Sequence, residues 1–149
     1  MALLKPARTA QNVMSADFSW TFADTMATVA GPVVDFGVTT VASTNTFEII
    51  KLPPGAIIIG GSINRTVAFD TATYTVLLGD SVTNNRFLAS ADVKATGSTP
   101  LLVSGFRNPT GLDVRMTLTN ADVCTTGAAT VSILYVIEGR ANEITSGTG

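Results

Sequence analysis

Two short runs carry the residue types of hydrolytic chemistry. Gly79-Asp80-Ser81 has the Gly-Asp-Ser order that opens one class of esterases, in which a histidine takes the serine proton during attack on an acyl carbon. Phe69-Asp70-Thr71-Ala72 resembles the Asp-Thr-Gly corner of aspartic proteases. There two aspartates share a proton, and a small homodimer takes the second from its twin. Each run lacks a necessary part. The chain contains no histidine, and Lys5, Lys51 and Lys94 stand in no setting that would make one of them the base for Ser81. Ala72 replaces the protease glycine, and no flap segment accompanies it. Asp70 reads better as a turn residue whose carboxylate caps backbone N–H groups at a strand end.

The other chemistries fare no better. Glu48, Glu138 and Glu143 are the only glutamates available for a glycosidase pair, and most aspartates border turns. No Asp-x-Asp-x-Asp-Gly spacing builds a calcium loop. Gly60-Gly61 is not followed by Lys-Ser/Thr and opens no helix, so it does not cradle phosphate. The single Cys124 forms no internal disulfide and reads as a small residue in a loop or core, in a reducing compartment. The expectation is no catalytic residue, no metal, no cofactor and no small-molecule substrate. Asn64-Arg65-Thr66 matches a glycosylation sequon, but residues 1–16 hold no apolar stretch of the secretory kind.

The elements that would position these residues are strands. Val, Ile and Thr make up close to a third of the chain. Strand-like runs recur at 33–41, 47–52, 56–63, 73–78, 86–89, 101–103, 113–119 and 130–138. Turn material separates them at Ser43-Thr44-Asn45, Pro53-Pro54-Gly55, Gly79-Asp80, Asn84-Asn85, Gly97-Ser98-Thr99-Pro100 and Asn108-Pro109-Thr110-Gly111. Residues 56–63 are almost continuously apolar, as for a strand buried on both faces, with Gly60-Gly61 marking a bend or a close backbone approach. Asp113–Thr119 alternates most cleanly, placing Val114, Met116 and Leu118 on one face. Thr130–Glu138 reads as a central strand. About eight strands without intervening helical periodicity predict an all-β fold, an antiparallel β-sandwich of jelly-roll type.

Residues 1–30 read differently, as an extended arm with apolar anchors at Leu3, Leu4, Phe18, Trp20 and Phe22. The only tryptophan lies in it, and such a residue requires a surface to bury against. That surface is either the protein's own core or a neighbouring subunit. Residues 31–143 then form the sandwich domain, and 144–149 a polar tail that frays.

Composition bounds the function. Only 13% of the 149 residues are charged and the net charge is -2. Lys and Arg are too few for a phosphate-binding surface, so nucleic acid is not an expected partner. No apolar run approaches the roughly 18 residues of a membrane span. A surface so poor in charge is instead expected to be covered in part by another protein chain.

A set of ordered short motifs between residues 47 and 143 carries a resemblance. Leu52-Pro53-Pro54-Gly55-Ala56-Ile57-Ile58-Ile59-Gly60-Gly61 leads to Ala68-Phe69-Asp70-Thr71-Ala72-Thr73 and Leu78-Gly79-Asp80. Phe87-Leu88-Ala89, Ala91-Asp92-Val93-Lys94-Ala95-Thr96-Gly97 and Tyr135-Val136-Ile137-Glu138-Gly139-Arg140-Ala141-Asn142-Glu143 follow. This order is similar to small head proteins of tailed bacteriophages that act as capsid decoration, or cement, proteins. The resemblance implies a non-enzymatic β-sandwich made in the host cytoplasm and bound to the outer virion surface. It further implies contact with the major capsid protein, commonly as a homotrimer, clamping neighbouring capsomers of the expanded shell. It marks no catalytic residue. Two other readings stay open: a tail or head-fibre component, and a carbohydrate-binding sandwich, for which only Trp20, Tyr74 and Tyr135 offer polar-tipped rings.

Overall fold

A computed structural model describes residues 12–37, 43–102 and 105–138. Among them are ten strands and no helix: β1 (Met14–Thr21), β2 (Thr25–Ala27), β3 (Val33–Asp35), β4 (Ser43–Leu52), β5 (Ala56–Val67), β6 (Thr73–Gly79), β7 (Leu88–Asp92), β8 (Gly97–Pro100), β9 (Leu112–Ala121) and β10 (Ala128–Ile137). Eight of them make two four-stranded antiparallel sheets, ordered β1-β10-β5-β8 and β4-β9-β6-β7, while β2 and β3 form a separate ribbon. With the ribbon set aside, the first strand pairs with the last, the second with the seventh, the third with the sixth and the fourth with the fifth. The chain is therefore one long hairpin rolled up on itself. β10·β5 and β9·β6 pairing close each sheet, which is jelly-roll topology.

Alternation decides which side chains meet between the sheets. On β9, Val114, Met116 and Leu118 are buried, as the sequence pattern predicts, and Ala129, Val131 and Ile133 of β10 are buried likewise. Rings fill one end of the interior. Phe69 lies 4.1 Å from Tyr74 and 6.4 Å from Trp20, centroid to centroid, and Phe36 lies 4.9 Å from Phe47.

Besides the turn expected at Ser43-Thr44-Asn45, which instead opens β4, three expectations need correction. Residues 14–21 are a full strand of the sandwich, paired along their whole length with β10, and not part of an extended arm that precedes it. The local signal is present: Met14, Ala16, Phe18 and Trp20 alternate with Ser15, Asp17, Ser19 and Thr21. It is diluted when the first 30 residues are read as one stretch. Second, β5 is not buried on both faces. Ile58 and Ile63 point inward, but Ile59 is 45% exposed, because a two-layer sandwich covers only one face of each sheet. Third, Gly97–Pro100 is not a turn before a strand but is itself β8, a short edge strand where proline is tolerated. The ladder continues for one residue through Leu101 N–H to Gly61 O at 3.0 Å.

The glycine pair of β5 meets the other expectation. Gly61 has φ +141° and sits against Ser132 O so closely that a Cβ would fall 2.3 Å from it. No side chain fits there. Residues 38–41 of the expected 33–41 strand, residue 103 and the expected tail at 144–149 lie outside the described residues.

Candidate assembly surface

Both hydrolase-like motifs prove to be turn staples. Asp70 follows Phe69 out of the core, and its carboxylate accepts from Thr125 N (2.7 Å), Thr126 N (2.9 Å), Thr125 Oγ1 (2.5 Å) and Cys124 Sγ (3.1 Å). These bonds, led by that from the Thr125 hydroxyl, hold its pKa far below the usual carboxylate range. A carboxylate saturated in this way is a poor partner for sharing a proton. The Cys124 thiol is pushed up to about 11, first by burial and then by its bond to Asp70, so it remains a protonated packing group.

Asp80 is nearly buried and accepts from Thr83 N (2.7 Å), Val82 N (2.8 Å) and Arg86 Nε (2.6 Å). Burial by itself would raise its pKa. The two amides and Arg86 outweigh that, and the net shift is downward. Arg86 in turn stacks over Phe106, 4.2 Å from the ring centroid. Gly79 is required because Thr83 O would lie 2.0 Å from any Cβ there. Gly79-Asp80-Ser81 is thus a turn that folds tightly on its own backbone.

The residues expected to anchor a partner separate into three groups. Leu3 and Leu4 lie outside the described residues. Trp20 is 2% exposed and stacks in this chain's own core, which resolves its two alternatives in favour of the intramolecular one. Phe18 and Phe22 are half-buried on the core's margin. Trp20, Phe18, Met26 and Phe36 line a shallow cleft of about 240 Å³ between β1 and the ribbon. Trp20 and Tyr74 are buried and Tyr135 half-buried, so none of the three stands out as an open ring platform for a sugar.

The two outward sheet faces differ sharply. On β4-β9-β6-β7, hydroxyls pair across strands: Thr44 with Thr119 at 2.9 Å and Thr46 with Thr117 at 3.1 Å. Thr75 sits opposite Thr119 on the next strand, and Glu48 pairs with Arg115 at 2.7 Å. Hydroxyl pairs and an ion pair satisfy most of the polar side chains named there, although the buried Arg115 Nε has no hydrogen-bond partner. On β1-β10-β5-β8, Ser15, Asp17 and Ser19 occupy the β1 margin, but the middle is apolar. Leu134 (39% exposed) lies opposite Gly60, and Val136 opposite Ile57. Ile59 (45%) bulges out between those pairs, and Val13 (54%) precedes β1 beside them. The Arg107–Glu138 ion pair borders the patch at one end, where Arg107 bridges Ile57. An apolar centre with a charged rim has the anatomy of a protein interface.

Sequence reasoning missed this patch, although Ile57-Ile58-Ile59 and Leu134-Tyr135-Val136 place apolar residues on both parities of a strand. In a two-layer fold one parity must face outward.

No protein-family model matches the chain, and no curated protein sequence does. Among solved structures, the fold is similar to a chain in the acidic stable capsid structure of Helicobacter pylori bacteriophage KHP30. The TM-score is 0.59 at 17% identity, over 84% of this chain and 87% of that one. It is similar also to a chain in the cyanophage Pam1 capsid asymmetric unit, with a TM-score of 0.56 at 20% identity over 92% and 94%. At such identities the likeness is one of fold, and it runs through nearly the whole jelly roll.

Proposed function

We propose that this chain is a non-enzymatic structural protein of a phage virion, a decoration or cement protein bound to the outside of the capsid shell. One observation carries the reading: nearly the whole jelly roll, and not a local motif, is similar to chains found in two phage capsids. The surface supports it. The acids of the hydrolase-like runs are committed to turns, and the outward apolar cluster on β5 and β10 is one that a neighbouring protein would cover. The partners under this reading are the major capsid protein and further copies of this chain, commonly three around an axis.

The mechanism is mass action. A protein that binds only the expanded shell stabilises that state by RT ln(1 + [L]/Kd), about 2.7 kcal/mol per site at a hundredfold excess over Kd. Docking through Ile57, Ile59, Leu134 and Val136 removes apolar area from water at roughly 25 cal/mol per Å² without desolvating a charge. Leu3 and Leu4 remain candidates for a second contact, while Trp20 is committed to the core.

The test uses expanded shells purified without this protein. Added chain should co-sediment with them, saturate at a fixed copy number and raise the temperature at which they open. Absence of binding to expanded shells, with binding to isolated tails or fibres, contradicts the proposal and supports the fibre reading.

A further inference from the structure

The two sheets have their edges at β1, β8, β4 and β7, and all of these but β1 are closed off along their length. β8 is four residues long and ends in Pro100, which has no N–H to offer. Val29 N–H donates to Thr46 O on β4 at 2.8 Å, and Arg65 Nη1 donates to Asp92 O on β7 at 3.0 Å. β1 is closed only at its end. There Thr21 N–H donates to Asp24 Oδ2 at 2.7 Å, and Thr21 O accepts from Asp24 N–H at 3.3 Å.

Parity says what stays open. The register with β10 is unbroken from Met14 to Thr21, and Phe22 N–H continues it to Gly127 O at 3.1 Å. Even-numbered residues therefore turn their main chain toward β10, while Ser15, Asp17 and Ser19 turn theirs to the edge. Among the described residues nothing bonds those N–H and C=O groups, a row ~13 Å long. Two side-chain features border the row. Asp17 is exposed on the outer face, with Ser15 Oγ at 3.4 Å and no cation paired to it among the described residues. Beside Ser19 opens the cleft of about 240 Å³ whose apolar walls include Phe18, Met26 and Phe36. On an antiparallel strand added here, the residue facing Asp17 lies on the outer face with it. The residue before that one faces Phe18 and points inward with it, at the cleft. A second copy of β1 is a poor occupant. The two-fold register that uses Ser15, Asp17 and Ser19 sets Asp17 against Asp17 of the other copy, and like charges directly opposite repel.

We propose that the β1 edge is a docking site for an extended segment of another protein, added as an antiparallel strand. The segment places an aliphatic side chain in the Phe18–Met26–Phe36 cleft and, next in its sequence, a Lys or Arg opposite Asp17. Main-chain bonds hold the strand, and these two positions select it. The site does not rest on the capsid reading; under that reading the shell protein supplies the segment.

The experiment titrates the full, isotope-labelled chain with the peptide acetyl-Ser-Thr-Leu-Lys-Val-Thr-Ser-amide and follows amide shifts and hydrogen exchange. In the free chain the amides of Ser15, Asp17 and Ser19 should exchange fast, and those of Ala16, Phe18 and Trp20 slowly. Saturable binding should protect the fast set and shift the signals of Phe18, Met26 and Phe36. Replacing the peptide's Lys by Glu should weaken binding several-fold, and Asp17→Lys in the chain should reverse that preference. Ser19→Pro removes an outward N–H without touching the β10 ladder, and should abolish binding at an unchanged melting temperature. If that variant fails to fold, the charge swap decides. No binding at millimolar peptide, or binding indifferent to the swap, overturns the proposal. A fast set already protected in the free monomer overturns it by naming the chain itself as occupant, and protection that grows with dimer formation overturns it by naming a second copy. None of these outcomes requires capsids, so failure here is separable from failure of shell binding.

Discussion

The two outer faces of this sandwich obey the same inward rule and opposite outward ones. Beneath both, alternate residues are buried: Val114, Met116 and Leu118 in one sheet, Ala129, Val131 and Ile133 in the other. Outside, the β4-β9-β6 face pairs hydroxyl with hydroxyl and Glu48 with Arg115, so these side chains find partners within the chain itself. The β5–β10 face shows aliphatic side chains instead. The lesson is that burial within the fold explains the inner residues of both sheets but the outer residues of only one. The unexplained face is where a partner gains most by binding.

Variants can break or sharpen that contrast. The largest effect is expected beneath the faces. Trp20→Ala removes a fully buried ring stacked on Phe69 and should cost about 3–5 kcal/mol in denaturant unfolding. A loss below about 1 kcal/mol would return Trp20 to the role of an intermolecular anchor.

Asp70→Asn should also destabilise, in a manner set by pH. The folded state holds the Asp70 pKa far below its ordinary 3.8, so its contribution is full above that value. As pH falls through and below it, the unfolded chain takes up the proton first and the contribution drains away. The gap between wild type and Asp70→Asn should be constant from about pH 5 to 8 and close below about pH 4. A gap that widens on acidification would refute the staple.

On the threonine face, Thr46→Ala or Thr117→Ala breaks one hydroxyl pair and should cost about 0.5–1.5 kcal/mol, with shell binding unchanged. The smallest stability effect belongs to the other face. Ile59→Ser with Leu134→Ser should leave the melting transition within about 0.5 kcal/mol of wild type while weakening shell co-sedimentation at least tenfold. Equal loss of binding from both faces would erase the contrast.

Much of this was legible in the residues. β6, β9 and β10 announce themselves by alternation bounded by turns, and the absence of a helical period fixes the class; β4 was read only from Phe47, because its opening Ser43-Thr44-Asn45 has turn composition. β1 was obscured because its eight alternating residues are followed by the irregular ribbon, which hides the period when the two are read together. β8 was obscured because an edge strand of Gly-Ser-Thr-Pro has turn composition. The patch was hidden for a different reason. A run such as Ile57-Ile58-Ile59 is compatible with either a doubly covered strand or a half-exposed one, and only the count of layers distinguishes them. The reading of Asp70 as a cap for backbone N–H groups holds, but its partners, at Cys124–Thr126, are more than fifty residues away and no local pattern points to them.

The most direct test is cryo-electron microscopy of the virion at side-chain resolution, asking which face of this chain is buried. The prediction is density for this chain on the outer shell, with Ile57, Ile59, Leu134 and Val136 against a neighbouring protein and the Thr44–Thr119 face toward solvent. A threonine face buried against the shell beneath an apolar face left in solvent, or no copy of the chain on the capsid at all, would contradict it.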